Sequence, residues 1–264
     1  MTSAVDTAAR ANRSSVPMHR AVAVLAVRGM RAAVREGDLV FAIAAPVLFF
    51  LCFYTPLHRS FEAAGGGYAQ YLASVITLQA GLFTAIVAGQ RAGQDRESAA
   101  TQRLATLPVP RTAPALARLC AIGARAAITI VAATLIASVF GFRFHGVAAA
   151  FGYFALVLVV TLALSALADA LGAIVASPER IGEVLMLPQV VLVMASTGLV
   201  PATSFPGWIQ PVVRHQPISV LADALRALAD GTHTDLTAAV AWTVALVASG
   251  ALACLLVARK EVGR

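Results

Sequence analysis

Two charges interrupt otherwise apolar stretches of the sequence, and they are the residues whose types and positions most invite chemistry. Arg125 lies about ten residues into the third long apolar run, and Asp169 about seven residues before the end of the fourth. An ionised side chain is costly in hydrocarbon, so such residues mark ion pairs, water-filled cavities or transport paths. The two runs are antiparallel, which puts both charges at similar depth. They are expected to approach each other or to face a shared polar cavity. In the alternative, Arg125 reaches back to the headgroups and Asp169 sits at a wet margin. Gln79 and Gln189 are the uncharged counterparts in the second and fifth runs. They either line a substrate path or bond across helices as glue. Pro46 and Pro188 stand in the same kind of setting and can kink their helices.

Other chemistries lack their residues. A phosphate-binding P-loop needs a lysine after a glycine-rich turn. The only lysine is Lys260, followed by Glu261 and preceded by no such turn. Intramembrane proteolysis needs a Ser–His pair, two aspartates or a metal-binding histidine motif within the runs. His19, His58, His145, His215 and His233 all fall outside them, and Asp169 is the only carboxylate well inside one. Cys52, Cys120 and Cys254 are far apart, with no metal-ligand spacing. They are read as packing residues. No catalytic residue and no metal site are expected.

The elements that must position these side chains follow from composition. The chain has 264 residues, of which 59% are hydrophobic and only 12% charged, with mean hydropathy +0.80. Soluble domains carry about 25% charged residues, so water cannot be the only solvent here. The net charge of +7 is carried almost wholly by arginines placed between apolar runs. That is the pattern of topology signals rather than of a nucleic-acid surface. Spanning the hydrocarbon takes about 20 apolar residues, and six runs qualify, roughly 39–57, 71–90, 116–140, 148–176, 184–202 and 236–258. With the N-terminus inside, fifteen Arg and Lys fall on inner segments and four on outer ones. Both termini are therefore expected in the cytoplasm.

The segments between runs have their own character. Residues 1–18 are polar and read as a tail rather than a signal peptide. Over 19–36, Val22, Leu25, Ala26, Gly29 and Ala33 share one side of a helix and Arg20, Arg28, Arg31 and Arg35 the other. That separation fits a helix in the membrane interface, the alternative being a helix packed on its own protein. In the inner loop 91–118, Asp95 or Ser98 can cap a short helix over about 96–106, stopped by Pro108 and Pro110. The outer stretch 201–235 is broken by Pro201, Pro206, Pro211 and Pro217 and then carries an amphipathic helix ended by Gly231. Trp208 suits an interfacial depth. Two short helices dipping back toward the membrane are expected there. The fold class is thus an all-α membrane protein of six transmembrane helices, with an N-terminal interfacial helix and a re-entrant outer helical hairpin before the last span.

Two stretches resemble a known family. DRESAATQRLATLPVPRTAPALARL is similar to the cytoplasmic coupling segment of ABC-2-type transporter permeases. STGLVPATSFPGWIQPVVRHQPISVLADALRALADG resembles their outer hairpin, with Pro201, Pro206, Trp208, Pro217, Asp223, Arg226 and Gly231 matching its pattern. FYTPL, YLASVITLQAG and FGFRFHG look like the daunorubicin-resistance subgroup, which exports drugs or complex lipids. The resemblance runs from about residue 20 to the end. It implies the permease subunit of an ATP-binding cassette exporter in a bacterial cell membrane, moving hydrophobic or amphipathic compounds outward. It implies a partner ATPase that binds the ATP and Mg, so that this chain holds no cofactor, and a second permease chain, identical or paralogous, within membrane lipid. Arg96, Glu97, Thr101, Arg103, Leu104 and Leu107 are the coupling residues it implies. A cation-coupled carrier, with Asp169 as its embedded carboxylate, and a membrane assembly protein without transport remain the competing readings.

Overall fold

A computed structural model describes residues 17–63, 66–97, 113–174, 178–232 and 235–262. The described residues form helices α1 (Met18–Arg35), α2 (Asp38–Ala63), α3 (Tyr68–Glu97), α4 (Ala113–Val139), α5 (Val147–Ile174), α6 (Pro178–Met194), α7 (Gln210–His215), α8 (Pro217–Asp230) and α9 (Thr237–Val262), with a 3₁₀ turn at Ala202–Ser204. Five of them, α2, α3, α4, α5 and α9, are long and apolar enough to cross a membrane. At 1.5 Å per residue, the 26 residues of α2 reach about 39 Å, beyond the ~30 Å of hydrocarbon. The first and last runs therefore continue past the limits expected from sequence.

The bundle is organised around α3, which is buried along most of its length, whereas α9 is exposed along nearly all of its own. α3 packs most extensively on α5 and also meets α2, α4, α6 and α8. α3 and α5 run parallel: Thr77 bonds Tyr153, Gly81 faces Thr161, and Gly89 faces Ala168. Glycine permits this approach. A Cβ on Gly89 would stand 2.8 Å from the Ala168 carbonyl oxygen, and one on Gly172 would overlap the Gly89 carbonyl oxygen. Small residues at helix contacts replace the hydrophobic driving force that lipid removes. Toward the other end of the bundle, Phe50, Leu72, Ile76, Phe142, Tyr153 and Leu225 are fully or almost fully buried.

Three expectations are corrected. α3 runs unbroken to Glu97, so Asp95 lies inside it and caps no separate helix; residues 98–106 lie outside the described residues. The fifth run stops as a helix at Met194 instead of reaching 202. There the Gln216 side chain donates to the Leu192 and Ala195 carbonyls at 3.1 and 2.5 Å, closing the helix end. Thr197 N–H donates to Ser219 Oγ at 3.0 Å, drawing the following turn onto α8. Finally, the small-residue face of α1 lies against protein. Ala21 and Ala33 are buried, and Gly29 sits over Ala121 of α4. Gly37, at φ +78°, makes the turn into α2.

Candidate functional site

The charged side chains collect where the α1–α2 turn meets the C-terminal ends of α3 and α5 and the N-terminal half of α4. Arg91 donates to Asp38 Oδ2 from Nε at 2.9 Å and from Nη2 at 2.5 Å, and to Glu36 Oε2 at 2.9 Å. Arg118 Nη1 reaches both oxygens of Asp169, at 3.0 and 3.2 Å, and its Nη2 lies 3.8 Å from Asp95. Arg125, nearly buried, places Nη2 3.7 Å from Asp38. Partly buried ions persist when each has a counter-ion, and this lattice supplies one to each across four helices and the α1–α2 turn, although Arg125 Nε has no hydrogen-bond partner among the described residues. Asp169 thus pairs with Arg118, while Arg125 turns to Asp38. The expected approach of Arg125 and Asp169 is replaced by two separate pairings, because Arg118 lies nearer the depth at which α5 presents Asp169.

The pair between Asp95 and Arg118 also joins the two sides of segment 98–112. Arg96 and Glu97 form the last turn of α3, and their side chains lie outside the described residues. Thr101, Arg103, Leu104 and Leu107 lie outside them as well.

Gln79 and Gln189 share the seam between α3 and α6. Gly182 packs on Gln90, and Gly198 on Val75. That register puts Gln189 about one turn from Gln79 along the seam, on the stripe that continues from Gly182 to Val193. Both are buried, at 0% and 4% exposure, and neither carboxamide has a hydrogen-bond partner among the described residues. The Thr84 hydroxyl on the same helix, by contrast, donates to the Ala80 carbonyl and meets Thr129 at 3.3 Å.

At the opposite end, Arg226 of α8 pairs with Asp223 and donates to the carbonyls of Tyr71 at 3.2 Å and Thr197 at 2.7 Å. Its guanidinium lies 3.7 Å from the centre of the Tyr71 ring, a cation–π contact. Partial burial raises the Asp223 carboxyl above its ordinary value, opposed by Arg226. Pro217 begins α8, where its missing N–H is harmless. Gly231 ends it at φ +65°, with the Thr232 N–H bonded to the Ala227 carbonyl at 3.0 Å. Most of α8 is buried against α3, α5 and α9. Pro206 lies in the turn before α7, and Trp208 is 80% exposed.

Sequence reasoning treated Arg91 and Arg118 as topology markers and passed over Glu36 and Asp38. The available signal was four acids and three arginines at or within about ten residues of run ends. Tyr71 and Thr197 gave no signal, since their contacts with Arg226 join residues far apart in the chain.

Residues 54–259 match the family described as ABC-2 family transporter protein. Among curated relatives, the doxorubicin resistance ABC transporter permease protein DrrB of Mycobacterium tuberculosis is 34% identical over 218 residues, covering 79% of this chain and 75% of that protein. The probable doxorubicin resistance permease DrrC of the same organism is 32% identical over 52% of this chain and 50% of its own length. The daunorubicin resistance permease DrrB1 of Streptomyces coeruleorubidus is 26% identical over 74% of this chain and 69% of its length.

Proposed function

The chain belongs to the ABC-2 transporter family, as a multi-pass permease subunit of an ABC exporter whose ATPase activity lies in a separate subunit, and on that footing we propose what it carries and how it is driven. Its cargo is a hydrophobic or amphipathic compound, of the drug class named for its relatives or a complex lipid. It leaves the cytoplasm or the inner leaflet of a bacterial cell membrane.

α6 serves as a further crossing, giving six. Gly182, near its start, lies beside Gln90 and Gly198, just past its end, beside Val75, so it runs from the charged end of the bundle toward the Arg226 end. The charged end then faces the cytoplasm with both chain termini, and α7 and α8 form a re-entrant outer hairpin. ATP and Mg bind the partner ATPase, which presses on segment 96–107, with Arg96, Glu97, Thr101, Arg103, Leu104 and Leu107 as its contacts. A second permease chain, identical or paralogous, completes the path within the lipid.

The observation that carries this reading is the lattice around Arg91, Arg118 and Arg125. It ties both sides of segment 98–112 to α2 and α5, so a push at that segment is felt by several spans at once. Asp169 is already engaged by Arg118, which argues against its use as a free proton carrier. The test is labelling of single cysteines placed at positions 99–111 with a membrane-impermeant thiol reagent, in a background lacking Cys52, Cys120 and Cys254. Labelling only after the membrane is opened is expected. Labelling in intact cells overturns the proposal.

A further inference from the structure

We propose that the first half of α6 is a hinged leaf, which swings about Pro188 away from α3 and opens the seam between the two helices sideways into the membrane. The two halves of α6 are held very differently. Past Pro188, Gln216 donates to the Leu192 and Ala195 carbonyls, and the turn that follows is gripped from two sides. The Thr197 carbonyl accepts from the Tyr71 hydroxyl at 2.5 Å and from Arg226 at 2.7 Å, and the Thr197 N–H donates to Ser219. Before Pro188 there is no such grip. Of residues 180–187 only Ile181 and Gly182 are buried, while Val184 and Leu187 are 66% and 73% exposed. Arg180 and Glu183 enter no ion pair among the described residues. α6 packs mainly on α3 and barely touches α5, so one narrow stripe holds this half.

Pro188 stands where the two halves meet. It lacks the N–H that would bond the Val184 carbonyl, and its ring presses on that turn, so bending there costs less than elsewhere in the helix. Gln189 follows at once. It is 4% exposed, and its carboxamide has no hydrogen-bond partner among the described residues. A buried amide left unpaired destabilises the closed seam, and opening as far as Gln189 relieves it. Gly182 against Gln90 is the contact that must part: an added Cβ would stand 2.1 Å from Gln90 Nε2. An amphiphile entering the wedge meets the Gln189 carboxamide with a hydrogen-bonding group while its apolar part stays in lipid. That the wedge faces the inner leaflet rests on the orientation proposed above; the hinge does not.

Residues 178–187 extend about 15 Å at 1.5 Å each, so a change of about 20° at Pro188 moves their far end by about 5 Å. The test is double electron–electron resonance on the full chain in lipid nanodiscs, in a background lacking Cys52, Cys120 and Cys254. Spin labels on E183C/L119C join the leaf to α4, and labels on M194C/V139C join the held half to the same helix; all four positions are exposed. Two distances about 5 Å apart are expected for the first pair, and one for the second. Pro188→Ala, which restores the hydrogen bond to Val184, should leave one distance in the first pair. A single distance for the first pair with Pro188 in place, an equal spread in both pairs, or a second distance that survives Pro188→Ala overturns the proposal. A moving leaf in a chain that shows no ATP-driven transport supports the hinge and counts against the transport reading alone.

Discussion

Arg118 holds Asp169 through two hydrogen bonds from one nitrogen, at 3.0 and 3.2 Å, and from its second terminal nitrogen it faces Asp95 at 3.8 Å. One guanidinium therefore connects α3, α4 and α5, where α3 ends and α4 begins.

R118Q and D169N are each expected to lower the stability of the purified chain by about 1–2 kcal/mol, between the values for exposed and buried pairs. The double variant should be no worse than the worse single. R125Q with D169N should instead be additive within about 0.5 kcal/mol. Thermal unfolding in detergent of the two cycles distinguishes them. Additivity between 118 and 169 contradicts the pairing.

Gly172→Ala is expected to destabilise by roughly 1–3 kcal/mol, because the added methyl overlaps the Gly89 carbonyl where α3 and α5 run closest. Gly146→Ala, where the added methyl meets open space, is the control and should change little. Melting temperatures of the two variants check this. Equal melting temperatures refute the close approach.

Arg226→Lys keeps the charge but not the planar fork that serves Asp223 and the carbonyls of Tyr71 and Thr197. A loss of about 1–2 kcal/mol is expected, from at least one hydrogen bond to a charged group. Tryptophan emission should report it, since Trp208 lies in the same connection between α6 and α8. Wild-type stability in Arg226→Lys would mean that charge alone suffices there.

Gly231→Ala places a side chain at φ +65° and drives its methyl to within 2.6 Å of the His145 ring. The backbone term alone is about 1 kcal/mol. Combining it with His145→Ala should recover part of the loss in a denaturation assay. No recovery would show that the backbone term acts by itself.

The bilayer-length helices were legible because a run of twenty apolar residues needs no partner to be recognised. The hairpin prolines and Gly231 were legible because each acts on its own backbone. What escaped depends on residues distant in sequence. Met194 ends α6 because Gln216, far along the chain, accepts the task of closing it. The face of α1 that looked made for lipid meets α4, since small residues suit close packing against another helix as well as they suit a membrane boundary. Arg125 and Asp169 were expected at one depth, but the register of α4 on α5 sets Gly123 beside Leu162 and so brings Arg118 to Asp169, and one sequence does not encode that register in any local pattern.

The central claim is that this chain is the path and a separate subunit the motor. The most direct measurement is transport into sealed vesicles containing the chain with its separate ABC ATPase subunit, using a fluorescent amphipathic drug. The account predicts accumulation that requires ATP and both chains, with drug-stimulated ATP hydrolysis in the complex. Transport by this chain alone, driven by a pH gradient without ATP, would contradict it.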